Sequence, residues 1–137
     1  MGDTFRLRIL ATDKPFYEGD CLSLTVPTLD GERGILAHHS NMIAAIVPGV
    51  LRGEFPGRPP QTAAVSGGLV KVEDNEVLIL VDTAERPEEI DSNRAKRAEA
   101  QAREALMQKR SIQEYRTAQA NLARAINRLK VKRRYTK

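Results

Sequence analysis

The residue pattern of this chain changes at Pro87, and that change limits the fold more than any other feature. Before Pro87, apolar and polar residues alternate in short runs, and glycine or proline interrupts the chain at close intervals. From Ser92 to about Lys109 there is no glycine or proline, and alanine and arginine recur. Alternation with period two is typical of strands, whereas a long run without breakers is typical of helix. The sequence therefore predicts a β domain over residues 1–86 and an α-helical domain over residues 87–137.

The first part of the chain predicts an all-β sandwich or flattened barrel. Every second residue is apolar in TFRLRI (4–9) and CLSLTV (21–26), so each strand has one wet face. Two apolar runs in LVKVEDNEVLILV (69–81) are separated by Asp74-Asn75, a strong hairpin signal. We interpret Gly67-Gly68 as a tight bend and place a hairpin loop within RGEFPGRPPQ (52–61), whose exact ends the sequence does not define. Many short strands with frequent turns favour a sandwich or barrel.

The second part predicts two antiparallel helices. Asp91 is a good N-cap for the first helix, and a short turn near Gln108 to Ser111 precedes the second. Alanine permits two helices to approach closely but buries little area, so the hairpin is expected to hold itself together weakly and to act as a moving part. Rigid docking on the β domain is the alternative. The apolar residues at helical spacing are Ala95, Ala98, Ala102, Ala105 and Leu106, then Ile112, Tyr115, Ala118, Leu122, Ile126 and Leu129.

The two parts have opposite net charge. Residues 1–93 carry 8 Lys/Arg against 15 Asp/Glu, a balance of −7, whereas residues 94–137 carry 14 against 3, a balance of +11. The basic part therefore favours an acidic partner, which leaves nucleic acid, a nucleotide, a membrane surface or an acidic protein segment open. No apolar run approaches the roughly 20 residues that span a bilayer, so we expect a soluble intracellular protein. The single Cys21 excludes an internal disulfide and is interpreted as a small packed residue.

No catalytic constellation appears in the sequence. A GxxxxGK loop, a pair of catalytic carboxylates and a nucleophile with its base are all missing. On an extended segment His38 and His39 point to opposite sides without a third ligand nearby, which favours a turn over a metal site. The basic stretch RLKVKRRYTK (128–137) would allow non-specific binding to nucleic acid, but no recognition helix or aromatic platform accompanies it. A solvated basic tail is the default interpretation.

Three stretches together resemble the epsilon subunits of F-type ATP synthases: GERGILAHHSNM (31–42), AVSGGLVKVEDNEVLILVDTAERPEEID (64–91) and RAINRLKV (124–131). The resemblance spans nearly the whole chain. It implies a non-catalytic central-stalk subunit that binds the gamma subunit, sits on the membrane c-ring and helps couple ion translocation to ATP synthesis. It also implies C-terminal helices that extend towards the catalytic alpha and beta subunits and restrain ATP hydrolysis. The implied location is the cytoplasmic face of a bacterial inner membrane, or less readily a plastid thylakoid, reached only through the complex.

The resemblance also implies an ATP site at the start of the first helix. In some bacterial members of the family an Ile/Leu-Asp-x-x-Arg-Ala motif takes part in ATP binding, and Ile90, Asp91, Arg94 and Ala95 match it. We expect the two apolar residues to pack on adenine and Asp91 to accept a hydrogen bond from its exocyclic amine. Arg94 is expected to bind phosphate oxygens. The alternative is that Asp91 only caps the helix and Ala95 only packs.

Further positions match the same implied site. Arg124 and Arg128, at i and i+4, fall where the family's phosphate-contacting arginines would fall, and Glu85 in TAER matches a third position. Gln101 stands where the best ATP binders carry an arginine, and loss of one charged contact costs about 1–3 kcal/mol. The alternative is that the arginines form a solvated face. No cofactor is expected to be required; ATP is a candidate regulatory ligand, and the need for magnesium stays open.

The resemblance implies a c-ring contact in the loop from Glu32 to Met42. His39 matches the family's histidine, but Ala37-His38 and Asn41 replace the usual Pro-Gly before it and Pro after it, which leaves the loop conformation open. The implied interface residues are Glu32, Gly34, His38, His39, Ser40, Asn41 and Met42.

The sequence therefore leaves two classes of function open. The first is a regulatory rotor subunit without nucleic acid as a partner. The second is a free-standing nucleotide- or nucleic-acid-binding module that uses the basic helices. Copurification with a gamma-like subunit favours the first class, and a salt-sensitive DNA shift without that partner favours the second.

Overall fold

The computed structural model of the chain describes residues 2–12, 14–108 and 112–136. By internal packing the chain divides into two units, Met1–Glu85 and Arg86–Lys137, which we call the β unit and the helical unit. The helical unit contains a 3₁₀ turn (Pro87–Glu89), α1 (Ser92–Gln108) and α2 (Ile112–Tyr135). The strands of the β unit are β1 (Phe5–Ala11), β2 (Pro15–Cys21), β3 (Ser23–Thr28), β4 (Gly31–Leu36), β5 (Met42–Ile46), β6 (Gly49–Glu54), β7 (Gln61–Val65), β8 (Gly68–Glu73), β9 (Glu76–Val81) and β10 (Ala84–Glu85).

The ten strands form one sheet in the order β10-β7-β6-β3-β5-β8-β9-β1-β2, with β4 paired to β3. Every pairing among the described strands is antiparallel except that of β1 with β9, which runs in parallel from Arg6 opposite Glu76 to Ala11 opposite Val81. A twisted sheet with this many strands curls on itself and closes over one core. The predicted β sandwich or flattened barrel, followed by a helical hairpin, is confirmed.

The side chains that alternate in the sequence fill the interior of the β unit. Phe5, Leu7 and Ile9 of β1 are almost fully buried, while the two arginines between them are exposed. Burial of such a side chain stabilises the fold by about 1.5–3 kcal/mol. Cys21 lies in the same core, where burial raises the pKa of its thiol to about 11. The thiol is therefore protonated at neutral pH, and the prediction of a packed cysteine is confirmed.

The β8–β9 hairpin forms at the predicted turn. Asp74 and Asn75 both adopt positive φ, 49° and 63°, which is the backbone of a two-residue turn whose twist matches that of the flanking strands. The strands pair without a shift from Glu73 opposite Glu76 to Gly68 opposite Val81.

The predicted bend lies at Gly67, between β7 and β8, and it forms although neither Gly67 nor Gly68 adopts a positive φ. Gly68 begins β8 and lies opposite Val81. A Cβ at Gly68 would overlap the carbonyl oxygen of Leu80 and lie 2.8 Å from Val81 Cα. The glycine is required there because two strands approach closely, and not because the backbone turns sharply.

Alanines line the buried side of both helices. Ala95 and Ala102 of α1 and Ala118 and Ala125 of α2 are buried, and α1 packs against α2. The predicted close-packing alanine surface is therefore confirmed for Ala95, Ala102 and Ala118, and Ala125 was not among the predicted positions. The last three residues of the predicted turn, 109–111, lie outside the described part of the chain, as do the side chains of Ile112 and Tyr115.

Two residues predicted for the shared helix faces are exposed instead. Ala105 and Ile126 both face solvent, whereas their neighbours Leu106 and Ala125 are half-buried and buried. Each helix turns about 100° per residue, so a position next to a buried one lies at the edge of the packed face. Neither helix, within the residues that the structure describes, is long and apolar enough to cross a membrane.

Candidate functional site

The motif at residues 90–95 begins the first helix, and Asp91 is its N-cap. The backbone N–H of Arg94 donates to Asp91 Oδ1 at 3.1 Å, and the N–H of Ala95 donates to the Asp91 carbonyl at 3.0 Å. The hydrogen bond from the Arg94 N–H, aided by that from Asn93 and by the charges of Arg97 and Arg94, lowers the pKa of the Asp91 carboxyl. The predicted cap is confirmed, and Asp91 holds its negative charge at neutral pH.

The two apolar members of the motif are inside the protein. Ile90 follows the 3₁₀ turn, where its N–H donates to the Pro87 carbonyl, and its side chain is 3% exposed. Ala95 is 0% exposed. In this conformation neither side chain presents an exposed surface, and the expectation that they pack on adenine stays a prediction. Asp91 and Arg94 are the exposed members of the motif.

Arg124 and Arg128 lie one helical turn apart on α2 and are half-buried. The Nε atoms of both are shielded from solvent. Further along the helix, Lys132 Nζ donates to the Pro87 carbonyl at 3.4 Å. With a rise of about 1.5 Å per residue, the two arginines then lie alongside the first turns of α1. Arg128 and Arg124 are thus about 6 Å and 12 Å along α2 from Lys132, on the helix that packs against α1.

Lys132 was not identified from the sequence as part of this end of the hairpin. Its spacing of four residues from Arg128 was the available signal.

The remaining candidates are less closely grouped. Gln101 is exposed on α1. Glu85 belongs to the β unit, where it is half-buried in β10 opposite Ala64 of β7.

A second group of candidates lies at one end of the β unit, in the connection between β4 and β5. His38 adopts the left-handed backbone conformation, with φ 64°, and not the extended one assumed from the sequence. The N–H of His39 donates to the Leu36 carbonyl at 3.2 Å, and His39 Nδ1 lies 2.7 Å from the Ser40 carbonyl oxygen. The predicted turn is confirmed. Across the described residues, no group of three His, Cys, Asp or Glu side chains is placed to hold a metal ion.

This connection is hydrogen-bonded to the β8–β9 turn. The N–H of His38 donates to Asn75 Oδ1 at 2.7 Å, and the N–H of Asp74 donates to Asn41 Oδ1 at 3.2 Å. His38 Nε2 also lies 3.4 Å from a carboxylate oxygen of Asp3. The sequence identified Asp74-Asn75 only as a turn. Residues 38 and 75 are 37 positions apart in the chain, so no local signal marked this pairing.

The other predicted interface residues flank the same connection. Glu32 accepts from Arg52 Nη2 at 3.0 Å, across the sheet. Gly34 is exposed with open space around its Cα, and Met42 begins β5 with its sulfur 3.6 Å from an Arg33 nitrogen. Ser40 is exposed. The predicted residues thus lie close together along β4, the connection and the start of β5.

The outer face of the sheet carries an apolar strip that the sequence analysis did not single out. Leu69 of β8 lies opposite Leu80 of β9, and both are 38% exposed. Ile43 of β5 is 72% exposed and lies opposite Lys71, two residues along β8 from Leu69. Cross-strand neighbours point to the same side of a sheet. We call Ile43, Leu69 and Leu80 the apolar strip.

These features define a class of protein: a β sandwich followed by an alanine-packed helical hairpin, with an exposed apolar strip on the sheet and exposed charged side chains on the helices. Residues 4–87 match the family described as ATP synthase, Delta/Epsilon chain, beta-sandwich domain, and residues 88–133 match its long alpha-helix domain. The chain belongs to the ATP synthase delta/epsilon family. The predicted resemblance is confirmed, and with it the expectation of a non-catalytic subunit.

Individual relatives agree over nearly the full length. The chain is 42% identical over 126 residues to an ATP synthase epsilon chain of Ruminiclostridium cellulolyticum, covering 92% of this chain and 93% of the relative. It is similar to a chain in the Euglena gracilis mitochondrial ATP synthase OSCP/F1/c-ring structure, with TM-score 0.77, 25% identity and coverage of 90% and 78%. A chain of the Tetrahymena thermophila mitochondrial ATP synthase central stalk and c-ring has the same fold, with TM-score 0.71, 16% identity and coverage of 96% and 98%.

Proposed function

We propose that the chain is a rotor subunit of a bacterial F-type ATP synthase. In this role it joins the gamma subunit to the c-ring at the cytoplasmic face of the inner membrane and helps couple ion translocation to ATP synthesis. The observation that carries the proposal is the full-length similarity to an epsilon chain, together with the likeness to subunits of solved ATP synthase assemblies. The protein reaches the membrane only through the complex, and nucleic acid is not a partner.

The apolar strip is the proposed contact for the gamma subunit. Monomeric proteins seldom leave large aliphatic side chains adjacent and exposed unless a partner covers them. Lys71 lies beside the strip and would stay at the rim of the contact. The end of the β unit that holds residues 37–42 is the proposed contact for the c-ring, because its polar side chains stand exposed or half-exposed around a hydrogen-bonded turn.

Leu80→Glu is expected to weaken copurification with the gamma subunit at least tenfold. A charge introduced into a buried apolar contact loses its hydration, and each 1.4 kcal/mol of that cost is one decade of affinity. Leu29→Glu is the control, because Leu29 is 76% exposed in the β3–β4 turn, outside the strip. Equal copurification of both variants with the wild type would exclude the strip as the gamma contact.

We also propose that the helical unit binds ATP as a regulatory ligand. Arg94 is exposed, and Arg124 and Arg128 follow each other by one turn on α2, the helix that packs against α1. Guanidinium groups are well suited to bind phosphate oxygens. Asp91 is charged, and an ionised carboxylate can accept several hydrogen bonds, so we propose it as the acceptor for an amine. Because Ile90 and Ala95 are buried, we expect them to hold the start of α1 in place by packing and not to contact the ligand directly. Glu85 stays a candidate on the resemblance alone.

Calorimetric titration of the full chain with ATP tests this site. Arg94→Ala and Arg124→Ala are each expected to weaken binding by about ten- to a hundredfold, the usual effect of losing a hydrogen bond to a charged group. Arg116→Ala, an exposed arginine on the same helix as Arg124, is the control and is expected to leave binding unchanged. If all three variants bind like the wild type, or if the wild type gives no heat at millimolar ATP, the motif serves only as a cap and packing element.

Finally, we propose that the helical unit restrains ATP hydrolysis when α2 meets the catalytic alpha and beta subunits. The last turn of α2 carries Lys132, Arg133 and Arg134. Residues 94–137 as a whole have a net charge of +11. Acidic surface on the catalytic subunits would complement this charge.

A further inference from the structure

We propose that the Asp74-Asn75 turn fixes the conformation of residues 37–42, the loop proposed to contact the c-ring, and that Asn75 is the positioning residue of that loop. The proposal rests on the c-ring contact proposed above for residues 37–42. It goes beyond that contact because neither residue 74 nor residue 75 belongs to the predicted interface. The observation that carries it is a set of hydrogen bonds between two loops that are far apart in the sequence.

The loop requires support from outside because its own residues do not fix its shape. His38 holds a left-handed backbone conformation, with φ 64°, which a residue with a Cβ adopts only at a cost in free energy. Residues 37–41 include no glycine to relieve this cost and no proline to limit the alternatives. Within the loop, His39 donates to the Leu36 carbonyl, which closes the turn but leaves the N–H of His38 to be satisfied elsewhere.

The β8–β9 turn supplies that support through two reciprocal hydrogen bonds. Asn75 Oδ1 accepts from the N–H of His38 at 2.7 Å, and Asn41 Oδ1 accepts from the N–H of Asp74 at 3.2 Å. Each bond joins a side chain of one loop to the backbone of the other. Together they tie both ends of the segment from His38 to Asn41, so its exposed side chains project from a fixed backbone.

Asn75 is itself held in place from three directions. Its own backbone has φ 63°, its carbonyl accepts from the N–H of Arg6 at 3.2 Å, and its Nδ2 donates to the Thr4 carbonyl at 3.0 Å. The side chain therefore needs both a donor and an acceptor. Asparagine has both, whereas aspartate has only acceptors when ionised. Asparagine also tolerates a left-handed backbone better than most other residues do.

Two substitutions separate the hydrogen bonds from the turn. Asn75→Gly keeps the positive φ and removes both side-chain bonds. Asn75→Asp keeps an acceptor for His38 and removes the donor to Thr4. Ser66→Ala is the matched control: Ser66 Oγ accepts from the N–H of Thr83 at 2.7 Å, so this variant loses a side-chain-to-backbone bond outside the connection between β4 and β5.

The first measurement is hydrogen exchange of the His38 amide in the full chain. Asn75→Gly is expected to speed this exchange at least tenfold relative to Ser66→Ala, because the amide loses its acceptor and the loop loses its support. Asn75→Asp is expected to give an intermediate rate. If the His38 amide exchanges equally in Asn75→Gly and Ser66→Ala, Asn75 does not hold the loop and the proposal is overturned.

The second measurement is binding to a purified complex of gamma subunit and c-ring. Asn75→Gly is expected to weaken binding about tenfold, because the loop loses its hydrogen bonds to Asn75 and must be ordered on binding. Ser66→Ala is expected to bind like the wild type at a temperature where all variants are folded. Wild-type binding that Asn75→Gly leaves unchanged would overturn the positioning role alone. If the wild type does not bind the complex at all, the proposed rotor function is overturned with it.

Discussion

Gly68→Ala is expected to lower the free energy of unfolding of the β unit by about 3–5 kcal/mol, at the upper end of what single substitutions do. The new Cβ would overlap the Leu80 carbonyl oxygen and lie 2.8 Å from both the Leu80 carbonyl carbon and Val81 Cα. These are backbone atoms of the paired strand, so no side chain can rotate away. Relief requires β8 and β9 to separate at a point where they are hydrogen-bonded.

Gly67→Ala is the control for this prediction. Its Cβ would lie 3.5 Å from the Ile46 carbonyl oxygen, an ordinary contact, and its backbone does not need glycine. We expect a change of less than about 1 kcal/mol, which includes any gain from a less flexible unfolded chain. Urea unfolding, followed by circular dichroism in the strand region, measures both variants. Equal stability of the two would mean that the strands part at Gly68 without loss of packing elsewhere.

The contrast between these glycines shows which parts of the fold the sequence could predict. Asp74-Asn75 was predicted as a hairpin because the turn depends on residues next to each other in the chain. Gly67-Gly68 was predicted only as a bend, and the close approach of Gly68 to Leu80 was missed because Leu80 lies on another strand. The parallel pairing of β1 with β9, from Arg6 opposite Glu76, likewise has no local signal, since the two strands are separated by most of the β unit.

The candidate sites divide in the same way. Asp91 was predicted as a cap and is one, because capping involves only the next three residues. Which motif side chains stay accessible could not be predicted, since burial of Ile90 and Ala95 depends on the packing of residues far along the chain. Asn75 was missed for the same reason: its side chain binds residues 4 and 38. Local chemistry identified the motifs, and tertiary packing determines which of their atoms can meet a ligand.

If α2 restrains ATP hydrolysis as proposed, removal of the exposed charges at its end is expected to raise the hydrolysis rate of the assembled enzyme several-fold. Between 112 and 135 the helix carries seven Lys/Arg and one Glu, and its last turn is basic. The variant combines Lys130→Gln, Arg133→Gln and Arg134→Gln, all of which are exposed. Lys132 is left intact because it donates to the Pro87 carbonyl and so supports the folded hairpin. Glutamine keeps the helix propensity and removes only charge.

Two observations distinguish electrostatic restraint from loss of helix. The control removes the same number of charges from α1, through Lys96→Gln, Arg97→Gln and Arg103→Gln, and is expected to leave hydrolysis restrained. The second observation is the salt dependence. The Debye length falls from about 10 Å at 0.1 M to about 3 Å at 1 M, so rising salt screens the charges of α2. We therefore expect salt to raise the hydrolysis rate of the wild type towards that of the α2 variant and to change the rate of the variant little. Basic residues in the last turn of a helix also stabilise the helix through its dipole, so their removal could unwind α2. Circular dichroism at 222 nm therefore has to show equal helix content in the wild type and both variants. If the α2 variant hydrolyses ATP as slowly as the wild type at every salt concentration, charge on α2 does not restrain the enzyme, and shape or packing of the hairpin has to account for any restraint observed.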